Sequence, residues 1–145
     1  MTTFADNRRA LFDFEILEKS SAGLELLGTE VKSIKDGKMN LRGSFINIRG
    51  NEAFLVSADI PAYQPKNAPP DYDARRARKL LISKREIEEL RTAEATKSLT
   101  IIPLLVYNKG RFLKIDIAIA RGKKKFDKRQ AIRKRDIERD LGRSL

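Results

Sequence analysis

The stretch Thr100–Ala120, TIIPLLVYNKGRFLKIDIAIA, carries the clearest strand pattern in the chain and points to an antiparallel fold. Its apolar first half, Thr100 to Tyr107, meets a turn at Asn108-Lys109-Gly110. The return strand puts Leu113, Ile115, Ile117 and Ile119 on one face, while Phe112, Lys114, Asp116, Ala118 and Ala120 alternate onto the other. Pro103 has no amide to give to a ladder, so its strand is expected at an edge or bulged there.

Working outward from this hairpin, Ser83-Lys-Arg-Glu86 has the spacing of a capping box and opens a helix buried through Ile87 and Leu90 that ends near Thr96. Before it, RRARKLLI (Arg75–Ile82) sets four basic residues beside an apolar run. Four of the five prolines, Pro61, Pro65, Pro69 and Pro70, mark a loop with Asn67 and Asp71. Phe45–Arg49 and Glu52–Ala58 read as a hairpin about Gly50-Asn51. Val31 and Ile34, bounded by Gly28 and Gly37, read as a short helix. Phe12, Phe14 and Ile16 alternate as a strand, and a second is expected at Leu24–Leu27 after a turn at Ser20–Gly23. About six short strands, two or so helices and no βαβ alternation argue for a mainly β chain folded as a small antiparallel barrel.

Composition narrows the chemistry. The 145 residues include no cysteine, histidine or tryptophan. A thiolate nucleophile, a Ser-His-Asp or Cys-His arrangement and a His- or Cys-ligated metal are therefore excluded, and no enzyme activity, cofactor or metal site is expected. The formal charge is +11, of which residues 121–145 hold +7 and the first 120 residues +4. A Lys/Arg block of this density fits a polyanionic partner. The longest nearly apolar run, Ile101–Tyr107, is too short to span a bilayer, and the first residues lack the apolar core of a secretory signal, so a cytoplasmic protein with no membrane partner is expected.

Other candidate sites are weaker. Gly23 and Gly28 have the glycine spacing of a phosphate loop, but the required lysine is missing. Asp71 with Asp73, and Asp136 with Asp140, fit charge balance better than magnesium binding, because one pair sits in a proline loop and the other in a basic tail. Glu30, near a helix start, fits an acid favoured by the helix dipole. Arg8 and Arg9, Arg75 through Lys79, Lys114, and Lys123 to Lys125 are each ordinary surface charge when taken singly. Together they outline an RNA-binding surface on a small barrel. After Ala120 the pattern changes to a basic cluster followed by Ile132, Ile137 and Leu141 at roughly helical spacing, with charge all round the axis. This tail is expected to be disordered when free and helical when bound.

Four strings then become specific in order and spacing: NRRALFDFEI (Asn7–Ile16), GTEVKS (Gly28–Ser33), RRARKLLISKREI (Arg75–Ile87) and ARGKKKFDKR (Ala120–Arg129). Together they resemble the SmpB family, the SsrA-binding proteins, over nearly the whole chain. The resemblance implies a six-stranded antiparallel barrel of the OB-fold type with flanking helices in residues 1–120, and a basic C-terminal tail in residues 121–145. It implies binding to the tRNA-like domain of transfer-messenger RNA (tmRNA) and delivery of that RNA to stalled ribosomes in trans-translation, by a protein that is monomeric when RNA-bound. The alternative is a generic OB-fold ribosomal or single-stranded RNA-binding protein.

Carried onto this chain, the resemblance assigns RNA recognition to Asn7, Arg8, Arg9, Glu30, Lys32, Ser33, Arg76, Arg78, Lys79, Leu81, Lys114, Lys123 and Lys124. It assigns the decoding centre and the empty mRNA channel of the small subunit to tail residues Lys124, Phe126, Asp127, Lys128, Arg129, Arg133, Lys134 and Arg135, with Phe126 offering a flat face for stacking on an rRNA base. The chain departs from the family pattern at Ser21, where relatives often carry an acid, at Phe12 and Tyr72, where histidine is frequent, and at Phe126, where some relatives carry histidine or tyrosine.

Overall fold

The computed structural model describes residues 2–123. The tail assignments from Lys124 onward lie outside the described residues. The elements, in chain order, are β1 (Thr3–Asp6), α1 (Arg8–Asp13), β2 (Phe14–Leu24), α2 (Gly28–Lys35), β3 (Phe45–Arg49), β4 (Glu52–Val56), β5 (Arg78–Leu81), α3 (Lys84–Ala95), β6 (Leu99–Lys109) and β7 (Phe112–Gly122), with a 3-10 turn at Pro65–Asn67. The strands form one antiparallel sheet in the order β1-β6-β7-β2-β5-β4-β3. The sheet coils so that β3 comes back near β6, and no ladder joins the two edge strands among the described residues.

Seven strands replace the six expected because one expected turn is absent and two short strands carry little local pattern. Ser20–Gly23 continues β2, paired residue by residue with β7, so Leu24 ends that strand and does not begin another. Gly23 suits the strand interior because a Cβ there would stand 3.2 Å from Leu81 Cβ, tighter than ordinary packing. Leu27 caps α2 and is not part of a strand. Phe12 lies in α1, so the expected Phe12-Phe14-Ile16 strand begins only at Phe14. β1 and β5 have four residues each, and their partners are distant in sequence.

The hairpins about Gly50 and Gly110 form as expected, each glycine taking positive φ (58° and 61°) at the first connecting residue, as mirror-image hairpin turns require. β6 reaches Lys109, so the second connection is Gly110-Arg111. β6 lies between β1 and β7, and Pro103 is accommodated by a bulge, a register shift between Pro103 and Leu105. The helix starting after Ser83 runs to Ala95, with Ser83 Oγ accepting from the Glu86 amide at 3.3 Å and Ile87, Leu90 and Ala93 buried. Glu94 reaches out from it and accepts from the Ile48 amide at 2.8 Å, occupying a donor of edge strand β3.

Both faces of β7 are partly covered. Ile115 and Ile117 join Ile34, Leu41, Leu55, Leu80 and Val106 in the main core. Ala118 and Ala120, expected on the outer face, lie beneath α1 with Ala10, Ile102 and Leu104. Small residues at these positions let the helix approach the sheet. Among the described residues the hairpin end of that face, around Phe112 and Lys114, is left open, Phe112 being 71% exposed. Among the described residues no helix is long and apolar enough to cross a membrane.

Candidate RNA interface

The residues assigned to RNA recognition fall into three places. The first is the open end of the sheet. Strand alternation sends Arg78 and Leu80 inward and leaves Lys79 and Leu81 outward on β5. Gly23 of β2 pairs with Leu81 on one side and with Lys114 of β7 on the other, so the glycine leaves a shallow floor between a leucine and a lysine. Phe112 stands two residues from Lys114 on the same face, and Leu24, Leu26 and Val31 complete a surface groove beside it. Ser21 lies opposite Asp116, whose carboxylate accepts from the Tyr107 hydroxyl at 2.9 Å. Burial, then the neighbouring Asp116 carboxylate, raises the Tyr107 pKa and keeps that hydroxyl a donor. Phe112 was absent from the sequence-derived set, although its place beside Lys114 in the alternation was the available signal.

The second place is at the other end of β7. Arg8 is exposed, 3.6 Å from Asp6, and Arg9 pairs with Asp13 at 3.1 Å while its guanidinium lies 5.0 Å from the Phe12 ring centre. β7 extends to Gly122, and Lys123 returns to α1, its amide donating to Asp13 O at 2.8 Å and its ammonium to Leu11 O at 3.2 Å. Arg8, Arg9 and Lys123 thus gather at the end of β7, about 25 Å along the strand from Lys114. Asn7 is in the same region but faces inward. Its side-chain amide donates to Pro103 O at 2.9 Å and its backbone amide to Leu104 O at 2.8 Å, serving carbonyls beside the Pro103 bulge.

The third place joins GTEVKS to the arginine motif. In α2, Glu30 and Ser33 face inward and Lys32 outward. Glu30 accepts from the Leu27 amide at 2.9 Å, so its carboxylate caps its own helix. The same carboxylate receives Arg78 Nε at 2.9 Å and Nη2 at 2.6 Å, and two donors of Arg76. Arg78 is fully buried and also donates to Ala58 O at 2.9 Å, while Arg76 keeps a third of its side chain exposed. The Tyr72 hydroxyl lies 2.7 Å from Ile60 O and 3.2 Å from Glu30 Oε2, linking the proline loop to this cluster. Ser33 Oγ donates to Pro61 O at 2.6 Å and ties down the start of the loop.

Burial alone would raise the Glu30 pKa, but hydrogen bonds from Arg76, the Leu27 amide and Arg78, with the charge of Arg78, outweigh it and hold the carboxyl below its ordinary value. Tyr72 is shifted upward by burial and by the Glu30 charge. One carboxylate against two guanidiniums leaves the cluster with net positive charge, presented to solvent through Arg76.

The family model described as SmpB protein matches residues 4–145. The SsrA-binding protein of Chloroflexus aggregans is 45% identical over 141 residues, covering 97% of this chain and 89% of the relative. The chain belongs to the SmpB family. Within the same family, the SsrA-binding protein of Acaryochloris marina is 46% identical, covering 97% of this chain and 92% of its own. A chain of a solved structure described as "tmRNA-SmpB: a journey to the center of the bacterial ribosome" superposes with a TM-score of 0.69 at 40% identity, covering 88% of this chain and 93% of that one. The fold and the four strings therefore agree with one family over nearly the full length, including residues beyond Lys123.

Proposed function

We propose that this chain is an RNA-binding adaptor without enzymatic activity, which binds the tRNA-like domain of tmRNA and delivers it to stalled ribosomes for trans-translation in the cytoplasm. The observation that carries the reading is the outward face on which Lys79, Leu81, Lys114 and Phe112 stand together. It offers the Lys114 ammonium, and the Lys79 ammonium that pairs with Glu52 at 3.4 Å, for phosphates, and a leucine and a phenylalanine for bases or riboses, on a sheet face of the kind that small barrels use for oligonucleotides. Arg76 and Lys32 extend the basic surface. Asn7, Glu30, Ser33 and Arg78 act on the RNA by holding these elements in place, since their side chains are buried and occupied within the chain.

In this reading RNA affinity belongs to the folded part, and ribosomal function to the basic segment after Lys123, where Phe126 and its neighbouring Lys and Arg residues engage the decoding centre and the vacant mRNA channel. Two measurements test it together. RNA copurifying with the full chain is sequenced, and one dominant tmRNA species is expected; a scatter of rRNA and mRNA fragments would favour the generic RNA-binding alternative. A chain ending at Lys123 is then expected to retain tmRNA binding and to lose peptide tagging on stalled ribosomes, and equal tagging by both chains would defeat the division of labour.

A further inference from the structure

Beside the Glu30 cluster, a pocket of about 140 Å³ opens between α2 and the proline loop, and the open sheet face about Lys114 does not include it. Its walls are Thr29 and Lys32 from the helix, and Tyr63, Asn67, Pro69 and Tyr72 from the loop. A volume of this order accepts one aromatic ring. The lining is mainly apolar with a few polar groups, the usual make-up of a site for a flat heterocycle.

Charge at the mouth identifies the rest of the ligand. Lys32 Nζ and Lys38 Nζ stand 5.8 and 5.6 Å from the centre of the same Tyr63 ring. Lys38 is already met by the Asp36 carboxylate at 3.5 Å and donates to the Tyr63 carbonyl at 3.5 Å. Lys32 has no ion-pair partner among the described residues. Lys32 also lines the pocket, so its ammonium is the charge available to an anion there. Asn67 Nδ2 donates to Gln64 Oε1 at 2.9 Å, and both amides line the pocket, where their remaining polar atoms can meet a base edge. The walls are held in advance of any ligand: Ser33 fixes Pro61, Tyr72 bonds Ile60 O, and the Ile60 amide donates to Ala74 O at 2.9 Å. Little ordering cost remains for binding.

We propose that this pocket takes a single unstacked RNA nucleotide, its base against Tyr63 and its phosphate at Lys32. The proposal rests on the RNA-binding reading above and deepens it by adding a second point of contact. Two RNAs present the same chemistry, tmRNA itself and ribosomal RNA, and the test separates them.

The full chain carrying p-azidophenylalanine in place of Tyr63 is irradiated in complex with tmRNA alone and with tmRNA on ribosomes, and the crosslinked nucleotide is mapped by primer extension. A crosslink confined to one unpaired nucleotide is expected, in the first arm if tmRNA fills the pocket and only in the second if rRNA does. In the arm that crosslinks, Tyr63→Ala is expected to weaken the complex by about fivefold to a hundredfold, the range for losing one base stack. Tyr63→Phe should bind as the parent does. Lys32→Ala, with an unchanged melting temperature, should weaken the same complex. No RNA crosslink in either arm, or unchanged affinity in both the Tyr63→Ala and the Lys32→Ala variants, would overturn the proposal. Failure of the parent chain to bind tmRNA at all would instead overturn the functional reading on which it rests.

Discussion

Glu30 and Arg78 stand 48 positions apart in the chain and form an ion pair with neither side chain exposed, Arg78 Nη2 donating to Glu30 Oε2 at 2.6 Å. Around it converge the N-terminus of α2, β5, the carbonyls of Ala58 and Ile60, and the proline loop through Tyr72. Two motifs that read as RNA contacts in the sequence thus meet in the interior. Their outward neighbours, Lys32, Arg76 and Lys79, are positioned by that meeting.

Removing one partner of a buried pair leaves the other charged and uncompensated, at a cost of about 3–5 kcal/mol. Glu30→Gln is therefore expected to lower the unfolding free energy by roughly that amount in urea titrations of the free protein. The double variant Glu30→Gln/Arg78→Met should lose less than the sum of the two single losses, because the stranded charge is gone.

The same carboxylate sets an acid limit. Its pKa is depressed in the folded chain, so its stabilising contribution is complete above the unfolded carboxylate value of about 4.3 and is lost as pH falls through the lower folded value. Unfolding free energy measured from neutral pH downward should fall below about pH 5, and more shallowly in Glu30→Gln. Identical slopes would show that other carboxylates govern the acid limb.

Asn7 separates positioning from contact. Asn7→Ala removes the side-chain donor to the buried carbonyl of Pro103, and a loss of about 1–3 kcal/mol is expected with no RNA present. Parent-like thermal stability combined with weak RNA binding would instead make Asn7 a direct contact.

On the open face, charge and apolar contact should be separable by salt. Lys114→Ala is expected to weaken tmRNA binding and to reduce the slope of log affinity against log salt by about 0.7–0.9, the loss of one phosphate contact. Leu81→Ala should weaken binding with the slope unchanged. Leu81 is 52% exposed, so stability should move by no more than about 0.5 kcal/mol.

In the tail, Phe126→Ala is expected to reduce peptide tagging on stalled ribosomes more than it reduces tmRNA affinity. Filter binding and a tagging assay on the same preparations check this, and parallel losses would place Phe126 in the tmRNA interface.

Some of the architecture was legible because its causes are local. The β6–β7 and β3–β4 hairpins follow from alternation ending at Gly110 and Gly50, α3 from Ser83 three residues before Glu86, and α2 from Val31 and Ile34 at helical spacing. Absence of histidine and cysteine, and the concentration of charge after Ala120, also needed no structure. β2 was misread at Ser20–Gly23 because small residues resemble a turn until a long partner strand pairs with every one of them. β1 and β5 were missed because strands of four residues owe their existence to neighbours far along the chain.

The sequence by itself determined which residues are basic, which segments alternate and which family the strings resemble. Only the tertiary structure decided which way the motif residues face. Glu30 is buried while Lys32, two positions on, is exposed, and Arg78 is buried while Lys79 remains partly exposed, because the helical turn and the strand pleat send neighbours to opposite sides. Which side becomes interior depends on what packs there. For Glu30 that is a guanidinium from a strand 48 residues away, a contact that no local pattern records.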